Sequence, residues 1–576
     1  MPLPNCLTLE PEQRIIKQLF EAIMFEQLVE IDVGSENGHN TFTWFMAEKH
    51  YHVRGHIGDF GRYRLDISTL TIDGQPLLIS QSWEDIVRDL PALEQVKLSI
   101  IEEFKQTSNL CRWNQDNIPA RDSRRQASFI ELEAQLDEGH PYHPSFKART
   151  GFNFLDHQCY GPEAGESFCL HWIAIKRTHF RSHLPDEHDG FWSSELDQDH
   201  WQTLSFILSQ QQGNWQEYAL LPVHPWQWRQ LHKEDFPSLL DQKIIIDLGE
   251  LGDQYVASQS VRTLLNVTNQ AKANIKLPMN MVNTSSKRTL AGYSVCLAPE
   301  ISTWLETIVS QDPELSGLDI LAEYAGGIYV PLGKTVECDP LSDQLAVIFR
   351  ESLENKLSPE QTAVPFNALM MVEQDGQPFI DHWIDKYDLV PWLSQLIEVA
   401  VIPIWHLLVK YGVGTEPHGQ NMVLVHRNGW PEKIIIRDFH ESVEYHSEFL
   451  STEFPAPDLA LLEPTLAKVP LDIFYAMSSV ELLRELVMDT LFIYNLVEVS
   501  HLIEWHYGGT ERQFWQLVEN KLEQYSAAHP ELADRIAQLD YQSTSIATES
   551  LLARKFQAKK QECHHIVANA LSCAFK

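Results

Sequence analysis

Positive charge is scarce in this chain. It carries 44 Lys and Arg residues against 80 Asp and Glu residues, a formal net charge of −36 at pH 7. A nucleic-acid partner is disfavoured, because neutralising phosphates requires clustered Lys and Arg. If the substrate is an anion such as a nucleotide or a polycarboxylate, a few basic residues must overcome an unfavourable overall field. Those basic residues are therefore the ones that indicate a site.

Signals for secretion, membrane insertion and metal clusters are also missing. The start, MPLPNCLTLEPEQ, has no basic stretch followed by an apolar one, which predicts no signal peptide. No run of about 18 apolar residues occurs, which predicts no membrane-spanning helix and no membrane partner. The cysteines form no CxxC pair, which indicates free thiols in a reducing cytoplasm. The cysteines are Cys6, Cys111, Cys159, Cys169, Cys296, Cys338, Cys563 and Cys573.

Motifs of two large enzyme classes are absent as well. No Ser-His or Cys-His constellation stands out, so the sequence does not indicate a covalent nucleophile. A glycine-rich GxGxxG loop and an HRD triplet, which protein kinases carry, are missing. The content of 44% hydrophobic and 22% charged residues is ordinary for a globular enzyme. A chain of 576 residues predicts about three or four domains.

Apolar periodicity predicts a mixed beginning, a second sheet and a helical end. Leu9–Glu30 has helical spacing, and the pattern from Thr41 to Ile79 turns toward strands, which predicts a mixed α/β region over residues 1–190. Later β-rich segments predict an antiparallel sheet, and the last third predicts a hairpin with helices. The β-rich segments are Ile244–Ile246, Val256–Asn266 and Ile275–Val282; the helices are Asp388–Tyr411, Ser479–His506 and Arg512–Ala527.

The stretch Thr415–Asp438 combines a polar cluster with a predicted hairpin around Asn428-Gly429. With a four-residue loop, Arg427 pairs with Glu432, and Asn421 lies opposite Asp438 on one face of the sheet. An amide oxygen beside a carboxylate suits Mg²⁺ carrying nucleotide phosphates. A two-residue loop would shift the pairing by two positions, and Asp438 would still face the same polar cluster. A hairpin with merely polar ends remains an alternative. The polar cluster consists of Glu416, His418, Gln420 and Asn421.

The predicted second sheet carries a local group of basic residues. Ser260 and Arg262 are expected on one face of a strand, because side chains alternate. Lys276 lies on a following strand, and a polar turn at residues 283–288 ends in Arg288. Arginine grips phosphate or carboxylate with two parallel hydrogen bonds, so the group predicts an anion site. Solvated surface strands are the alternative.

Two further places hold basic residues in unusual settings. Two His-Pro pairs in Gly139–Phe152 force extended backbone, which predicts a rigid turn that contacts phosphate or serves structure alone. This turn displays His140, His143, Lys147 and Arg149; a zinc site lacks neighbouring ligands. Arg484 lies inside an apolar helix, where it must pair with a neighbouring Glu or reach into a pocket.

Taken together, these motifs resemble the NRPS-independent siderophore (NIS) synthetases, the aerobactin-synthetase-like family. Any one motif is weak evidence, and their shared order carries the resemblance. The matching segments are HPYHPSFKARTGF at His140–Phe152, SVRT at Ser260–Thr263, KLPMNMVNTSSKR at Lys276–Arg288, EPHGQN at Glu416–Asn421 and RDFH at Arg437–His440.

The resemblance implies a fold and a reaction. The fold class is α+β, a multidomain hand-like architecture of thumb, fingers and palm with antiparallel sheets and a helical C-terminal region. The implied ranges are residues 1–190 for the thumb, 191–390 for the fingers and 391–576 for the palm. The implied reaction activates a carboxylate, often an arm of citrate, with ATP as an acyl-adenylate, and an amine or alcohol then attacks. Homodimers are typical of the family.

The resemblance also assigns roles to residues. ATP contacts are implied for His140, Lys147, Ser260, Arg262, Thr263, Lys276, Arg288, Gln420, Asn421 and Asp438. Mg²⁺ and phosphate contacts are implied for Glu416, Asn421 and Asp438. Contacts to the carboxylate substrate are implied for Thr284, Arg288, His418 and Arg484. Lys276, Arg288 and His418 are expected to act in catalysis, which would depend on positioning and charge neutralisation.

Two departures and two alternatives stay open. His440 and Glu441 follow Asp438, and the sequence does not show whether either completes a metal shell. Glu549 and Lys555 stand where the family tends to have a lysine and an arginine, so the choice of carboxylate stays open. A kinase-like phosphotransferase would use the same Asn and Asp around a hairpin. A ferric-siderophore-binding or reductase module would need paired cysteines for an iron–sulfur cluster.

Overall fold

A computed structural model describes most of the chain. The described residues are 9–36, 38–119, 121, 123–136, 138–185, 188–232, 236–284, 286–333, 341–558 and 563–572, without the side chain of Gln81. Three of the cysteines named above, Cys6, Cys338 and Cys573, and Ser285 of the polar turn lie outside these ranges. Cys159, Cys169, Cys296 and Cys563 are free thiols, as predicted.

The N-terminal region is a helix packed on a five-stranded antiparallel meander. Helix α1 buries Ile15, Ile16, Leu19 and Phe20, whose helical spacing places them on one face against β4. The strands pair in chain order, from β1 to β5. The elements are α1 (Pro11–Phe25), β1 (Ile31–Glu36), β2 (His39–Met46), β3 (Lys49–Ile57), β4 (Tyr63–Ile72), β5 (Gln75–Pro76), α2 (Ile79–Asp89), α3 (Glu94–Asn117) and α4 (Phe129–Gln135).

The middle of the chain forms an eight-stranded antiparallel sheet in the order β7-β15-β16-β11-β10-β9-β6-β8, beside the small hairpin β12-β13. The elements are α5 (Phe154–Tyr160), β6 (Phe168–Lys176), β7 (Phe180–His183), α6 (His188–Glu195), α7 (Gln198–Gln210), β8 (Tyr218–Val223), α8 (Pro225–Leu231), α9 (Pro237–Asp241), β9 (Ile245–Ala257), β10 (Thr263–Asn266), β11 (Asn274–Lys276), β12 (Val282–Asn283), β13 (Ser286–Lys287), α10 (Gly292–Val295), α11 (Ala298–Gln311), β14 (Leu318–Ile320), β15 (Glu323–Tyr329) and β16 (Ala346–Arg350).

The C-terminal region combines a four-stranded sheet, in the order β14-β20-β19-β17, with long helices. The elements are β17 (Thr362–Pro365), α12 (Asp381–Tyr387), α13 (Leu389–His406), β18 (Val413–Thr415), β19 (Met422–Arg427), β20 (Trp430–Ile436), β21 (Val443–Tyr445), α14 (Leu459–Leu462), α15 (Val480–Val487), α16 (Val497–Tyr507), α17 (Glu511–Ala528), α18 (Ala533–Leu539), β22 (Ser545–Glu549), α19 (Leu551–Phe556) and β23 (His564–Ala568). The α+β class with antiparallel sheets is confirmed, although β14 runs parallel to β20.

The sheets interleave along the chain. The eight-stranded sheet takes strands from residues 168–350, so β6 and β7 precede residue 191 and still belong to it. The four-stranded sheet begins with β14, before the eight-stranded sheet has received β15 and β16. Because the two sheets take strands from overlapping parts of the chain, the middle of the chain is joined to its end. The three domain ranges implied by the resemblance stay predictions.

Two helices form the centre of the C-terminal region. The predicted helix over Asp388–Tyr411 is present as α13 with a π-helical last turn at Leu407–Tyr411. Leu389–Tyr411 and Val480–Tyr507 are each long and apolar enough to cross a membrane by length and composition. Their most apolar windows are 78% and 72% buried inside the fold. That burial is typical of core helices, which are apolar on all sides.

The hairpin of β19 and β20 differs from the expected register. Arg427 pairs with Trp430, so the turn is the two-residue alternative, Asn428-Gly429, and the four-residue loop with Arg427 opposite Glu432 is wrong. A bulge then adds Glu432 to one strand, since Val425 pairs with Lys433 and His426 with Pro431. The amide of Arg437 consequently donates to the carbonyl of Asn421 at 3.0 Å.

This bulge changes which residue faces Asn421. Asn421 lies opposite Arg437, so the expectation that it faces Asp438 directly is also wrong. A shift of one residue moves every side chain to the other face of a strand. Asp438 leaves the strand with φ of 70°, outside the extended region. Its side chain is therefore placed by that turn.

Gly429 allows a stability prediction. Its φ is 91°, and a Cβ there would lie 2.1 Å from Cδ1 of Trp383. We expect Gly429→Ala to lower the local opening free energy of β19–β20 by about 2–3 kcal/mol, because backbone strain and the clash add. Gly376→Ala is the matched control, since Gly376 has φ of 79° and open space around it. Hydrogen exchange of the β19–β20 amides measures the difference, and equal losses in both variants would contradict the role of Trp383.

Candidate active site

The middle sheet and the late hairpin meet at Asp438. Lys276 is the last residue of β11, and its Nζ lies 2.9 Å from Oδ1 of Asp438. β16 pairs with β11 and ends in Arg350, whose Nη1 also lies 2.9 Å from this oxygen. Strand pairing thus places two cations at Asp438, the second residue after β20. The predicted convergence of the basic group and the hairpin is present in the structure.

Arg262 and Arg288 lie in turns beside this pair. Arg262 donates to the carbonyl of Thr289, and Arg288 donates to the carbonyl of Asn283 at 2.8 Å and to Oγ1 of Thr284 at 2.5 Å. The predicted polar turn is present as the β12–β13 hairpin. The expectation that Ser260 and Arg262 lie on one strand is wrong. The chain turns at these residues, and β10 begins at Thr263. The turn is closed by a hydrogen bond from the Val261 amide to the Ser258 carbonyl.

Left-handed backbone occurs at three of these turns. Val261 has φ of 61°, Thr284 of 60° and Asp438 of 70°. For a β-branched residue this region is a genuine outlier, and each such residue costs on the order of 1–3 kcal/mol. Strain of this kind persists where the surrounding structure holds a functional geometry in place. The three residues adjoin Arg262, Arg288 and the Lys276 pair, which supports this place as the site.

The electrostatics favour an anion. Burial lowers the pKa of Lys276, Arg262 and Arg350, while the carboxylate of Asp438 opposes that shift in each case. Burial and the charge of Arg262 lower the pKa of Arg288 to about 9. Burial opposes ionisation of Asp438 too, but Lys276 and Arg350 outweigh it and hold its pKa well below the usual range. Two buried cations, Lys276 and Arg350, contact Asp438, and two half-buried cations, Arg262 and Arg288, lie within reach of its charge.

Glu323, at the start of β15, completes the cluster. Its Oε2 accepts hydrogen bonds from the amides of Phe439 at 3.1 Å and His440 at 2.9 Å, which fixes the chain after Asp438. Its Oε1 lies 3.4 Å from Nδ1 of His440 and has no hydrogen-bond partner within the described ranges. Potential ligand atoms of Glu323, Asp438 and His440 lie within 4.8 Å of one another.

These donors fit a magnesium ion. Mg²⁺ prefers carboxylate oxygens and bridges them to phosphate, and the buried Oε1 of Glu323 has only the 3.4 Å contact with Nδ1 of His440. Of the three ligands implied by the resemblance, Asp438 belongs to this cluster. Glu416 accepts from the hydroxyl of Ser442 at 2.6 Å, and Nδ2 of Asn421 donates to the carbonyl of Glu416 at 3.1 Å. The metal roles of Glu416 and Asn421 stay predictions.

The loop before β19 holds His418 in one orientation. Its Nδ1 accepts from the amides of Gln420 at 3.1 Å and Asn421 at 3.2 Å. A neutral imidazole whose Nδ1 accepts carries its proton on Nε2, so His418 presents an N–H donor. Arg437 clamps the other side of the loop by donating to the Gln420 carbonyl at 2.8 Å and 3.0 Å. These four hydrogen bonds hold the loop in place before the hairpin.

The N-terminal loop brings a second histidine with the same geometry. Nδ1 of His140 accepts from the amides of Tyr142 at 3.1 Å and His143 at 3.3 Å. Burial lowers its pKa well below the usual value, and the nearby His143, His418, Arg62 and Arg288 lower it further. His140 is therefore a neutral donor near His418 and Arg288. Burial also lowers the pKa of His143, to about 3.

Lys147 and Arg149 are placed differently from the expectation. Both are 1% exposed, so the predicted turn does not display them. Nζ of Lys147 lies 2.8 Å from Oε1 of Glu163, and the Arg149 guanidinium lies 2.6 Å and 2.8 Å from the same carboxylate. Sequence reasoning missed Glu163, because a buried carboxylate that neutralises two cations has no local signature. The predicted ATP contact of Lys147 would compete with this pair.

Arg484 takes one of its two predicted alternatives. Its Nη2 lies 3.0 Å from Oε1 of Glu481, one turn earlier in α15, and its Nη1 donates to the carbonyl of Leu539 at 3.2 Å. The guanidinium is therefore satisfied inside the C-terminal region. Its implied contact to substrate stays a prediction.

The sequence analysis did not predict Arg350 or Glu323 as site residues, although the sequence contains a signal for both. Each is a single charged residue at the end of a buried apolar strand, in AVIFR and in EYAGGIY. A buried charge requires a partner, so such a position indicates an ion pair or a site. Arg437, which follows the apolar run of β20, has the same setting. What the sequence lacks is the identity of the partner.

Comparison with known proteins agrees with the geometry. The profile of the IucA / IucC family matches residues 128–371, and that of the "Ferric iron reductase FhuF-like transporter" family matches residues 391–562. A Bacillus anthracis "Citryl-spermidine/3,4-dihydroxybenzoyl-citryl-spermidine:spermidine ligase" is 33% identical over 97% of this chain and 93% of its own length. An Escherichia coli "Aerobactin synthase" is 28% identical over 91% of this chain and 90% of its own length.

Solved structures show the same fold. The crystal structure of the petrobactin biosynthesis protein AsbB from Bacillus anthracis superposes with a TM-score of 0.90 at 32% identity, over 98% of this chain and 96% of that one. Aerobactin synthetase IucC from Klebsiella pneumoniae gives a TM-score of 0.83 at 24% identity, over 98% of both chains. The similarity therefore covers all three regions of the chain. This chain belongs to the IucA/IucC family, the NRPS-independent siderophore synthetases.

Proposed function

We propose that this enzyme activates a carboxylate with ATP as an acyl-adenylate and condenses it with an amine or an alcohol in siderophore synthesis. The observation that carries the proposal is the gathering of Arg262, Lys276, Arg288 and Arg350 around Asp438. In a chain with a net charge of −36, such a local surplus of cations has a triphosphate and a carboxylate as its natural ligands. The Bacillus anthracis relative is named as a ligase of citryl-spermidine and spermidine, which supports a citrate-derived acid and an amine here.

The first step brings two anions together. A carboxylate oxygen attacks the α-phosphorus of ATP, a P–O bond forms, and pyrophosphate leaves with the electrons of the broken P–O bond. Both reactants are negatively charged, so the barrier depends mainly on positioning and charge neutralisation. Lys276, Arg262 and Arg288 supply fixed positive charge, and they are already desolvated. In a site of low dielectric such charges act more strongly than in water.

Magnesium would supply further neutralisation when bound, held by Asp438 and Glu323 with Glu416 and Asn421 at the adjoining loop. Lys276 and Arg350 would then keep Asp438 oriented. The histidines serve a different purpose, because His140 and His418 each present an N–H donor without a net charge. A neutral donor binds carboxylate or phosphate without competing for the metal. Thr284 and Arg288, which are hydrogen-bonded to each other, would hold the carboxylate of the acid substrate.

The second step releases AMP. The nitrogen or oxygen of the second substrate attacks the acyl carbon, a C–N or C–O bond forms, and the bond to AMP breaks. The attacking group loses a proton, and no covalent enzyme intermediate is needed. We place this enzyme in the cytoplasm, where ATP and reduced thiols coexist. We also propose a homodimer, the assembly that the resemblance implies.

The two alternative functions have specific counter-arguments. A kinase-like transfer would form ADP, whereas adenylation forms AMP and pyrophosphate. For a reductase, the segment that matches the ferric reductase profile, residues 391–562, contains no cysteine in its sequence. Thiolate ligands for an iron–sulfur cluster are therefore absent from that segment.

We expect pyrophosphate release only when a suitable acid is present. The measurement is a screen of pyrophosphate release and hydroxamate formation with hydroxylamine, across citrate, its monoamides, succinate and 2-oxoglutarate. Citrate or a citrate monoamide is expected to give the largest signal, with AMP equal to the pyrophosphate formed. Stoichiometric ADP, or no acid-dependent product with any of these acids, would overturn the proposal.

A further inference from the structure

A second group of metal-ligating side chains lies where the N-terminal sheet meets the C-terminal helices. His56 is near the end of β3, His501 lies in α16, and Glu511 is the first residue of α17. One potential ligand atom from each of these residues lies within 4.8 Å of the other two. This group, the interface cluster, shares no residue with the candidate active site. Three separate elements thus bring two imidazoles and a carboxylate to one place.

His56 has a ring nitrogen without a partner. Its Nε2 is buried and has no hydrogen bond within the described residues. Burial lowers the pKa of His56, so the ring is neutral at pH 7. The centroid of this ring lies 5.6 Å from that of His501 and 5.9 Å from that of Trp505. A buried polar atom without a partner costs free energy unless a ligand binds it.

His501 faces two groups that one ring nitrogen does not satisfy together. Its Nδ1 lies 2.9 Å from Nε1 of Trp505 and 3.3 Å from Oε1 of Glu511. If Nδ1 accepts from the indole of Trp505, it carries no proton, and it faces a carboxylate oxygen that also has only lone pairs. If Nδ1 instead donates to Glu511, the indole N–H loses its acceptor. A cation held by the carboxylate offsets the repulsion in the first arrangement.

Asp59 adds a second carboxylate with an unpartnered oxygen. Its Oδ2 is buried and has no hydrogen bond in the described part of the chain. Its own amide donates to Oε2 of Glu511 at 2.9 Å, which fixes the two residues side by side. Burial, followed by the charge of Glu511, raises the pKa of Asp59 to about 6. A divalent cation favours the ionised form of both carboxylates, because an opposite charge nearby offsets their burial.

The basic residues near the interface cluster bind a different carboxylate. Nη1 of Arg64 and Nη2 of Arg62 each lie 2.9 Å from an oxygen of Glu498. Among the described residues, neither arginine donates to the carboxylates of the interface cluster. Negative charge therefore exceeds positive charge around the cluster, which suits a cation. The remaining carboxylates are those of Asp59, Glu511 and Glu504, which accepts from the amide of Glu511 at 2.8 Å.

The donor set indicates the class of ion. Imidazole nitrogen combined with carboxylate oxygen suits Zn²⁺ and related divalent transition metals, whereas Mg²⁺ and Ca²⁺ take oxygen ligands. A tetrahedral zinc ion with bonds of about 2.0–2.2 Å holds its ligand atoms about 3.4 Å apart. The three atoms of the interface cluster lie within 4.8 Å of one another, so binding requires them to approach by at most about 1.4 Å.

We propose that His56, His501 and Glu511 bind a divalent transition-metal ion of the zinc class, with Asp59 as the fourth ligand. The ion joins β3 to α16 and α17, and so fastens the N-terminal sheet to the C-terminal helices. Four protein ligands leave no open position, which is typical of a structural site. This site is separate from the magnesium proposed at Asp438, and the inference does not depend on the proposed function.

A cobalt titration of the full chain tests for the ion. The protein is first stripped with a chelator, and excess Mg²⁺ is then added to fill sites made of oxygen ligands. Co²⁺ is titrated as a spectroscopic substitute for zinc. We expect about one equivalent of the strong visible absorption of tetrahedral Co²⁺, and we expect added Zn²⁺ to remove it. A wild-type chain without this absorption would overturn the proposal.

Single substitutions test the place of binding. His56→Ala and His501→Ala are each expected to weaken Co²⁺ binding by at least about 100-fold, the upper range for losing an outer-shell partner of a metal site. His52→Ala is the matched control, because His52 lies on the same face of β3 and belongs to none of the ligand clusters of the described residues. It is expected to bind Co²⁺ like the wild type.

Glu511→Gln keeps the test decisive if an alanine variant is unfolded by circular dichroism. It keeps the shape of the side chain and removes its charge, so we expect the same loss of Co²⁺ binding. Zn²⁺ at about 100 times its Kd is expected to raise the thermal midpoint of the wild type by about 2 °C, because it binds only the folded chain. Wild-type Co²⁺ affinity or an equal rise of the midpoint in Glu511→Gln would overturn the assignment of the interface cluster.

Discussion

Lys276→Ala is expected to lower acid-dependent pyrophosphate release by at least about 10²–10³-fold, the usual effect of removing one preorganised charge from a transition state. Its Nζ lies 2.9 Å from Asp438 and inside the group formed with Arg262 and Arg288. The loss removes both a phosphate ligand and the partner that orients Asp438. Arg262→Ala and Asp438→Ala are expected to have effects of the same order for the same reason.

Lys272→Ala is the matched control for this prediction. Lys272 lies four residues earlier, before the same strand, and pairs with Asp197 at 3.1 Å and Asp253 at 2.9 Å. These partners are outside the cluster around Asp438, so the variant is expected to keep wild-type pyrophosphate release. Circular dichroism of all variants shows whether the fold is intact. Wild-type rates of pyrophosphate release in folded Lys276→Ala and Asp438→Ala would show that the active site is not at Asp438.

Glu163→Ala is expected to destabilise the protein by about 3–5 kcal/mol, the typical cost of leaving buried charges without their partner. Glu163 neutralises both Lys147 and Arg149, and all three side chains are 1% exposed. Burial opposes ionisation of Glu163, but the two cations hold its pKa well below the usual range. The thermal midpoint and hydrogen exchange of nearby amides measure the loss. Glu163→Gln keeps the shape and is expected to be intermediate.

Glu166→Ala is the comparison for Glu163. It lies three residues later, is exposed, and accepts a hydrogen bond from Gln158 at 2.8 Å. An exposed contact of this kind contributes within about 0.5 kcal/mol. If Glu163→Ala and Glu166→Ala had the same midpoint, the buried ion cluster would not stabilise this region. Lys147 would then be available for the phosphate contact that the resemblance implies.

Local patterns predicted local structure well where chemistry leaves few choices. Asn428-Gly429 predicted the hairpin, because few other pairs adopt two left-handed residues in succession. The polar turn before Arg288 and the apolar helix ending at Tyr411 were predicted for similar reasons. The bulge at Glu432 was not predicted, because an extra residue in a strand has no reliable local signal. That one residue decided whether Asn421 faces Arg437 or Asp438.

The site required tertiary information that local patterns do not contain. The motif resemblance predicted that Lys276 and Asp438 belong to one site. Their contact depends on β11 lying between β10 and β16. Arg350 joins the site through that same pairing, and nothing near it in sequence indicates a nucleotide. Val261 was expected in a strand because β-branched residues favour strands, whereas the surrounding turn holds it at φ of 61°. Long-range packing overrode local preference there.

The central claim is that the gathered cations bring a carboxylate onto the α-phosphate of ATP. The most direct measurement uses citrate, or the citrate monoamide that gives most pyrophosphate, labelled with ¹⁸O in its carboxylates. Mass spectrometry of the nucleotide product follows turnover with an amine. We predict that one ¹⁸O atom appears in AMP, because the carboxylate oxygen stays on the α-phosphorus when the acyl bond breaks. Unlabelled AMP, or ¹⁸O in inorganic phosphate together with ADP, would contradict the account.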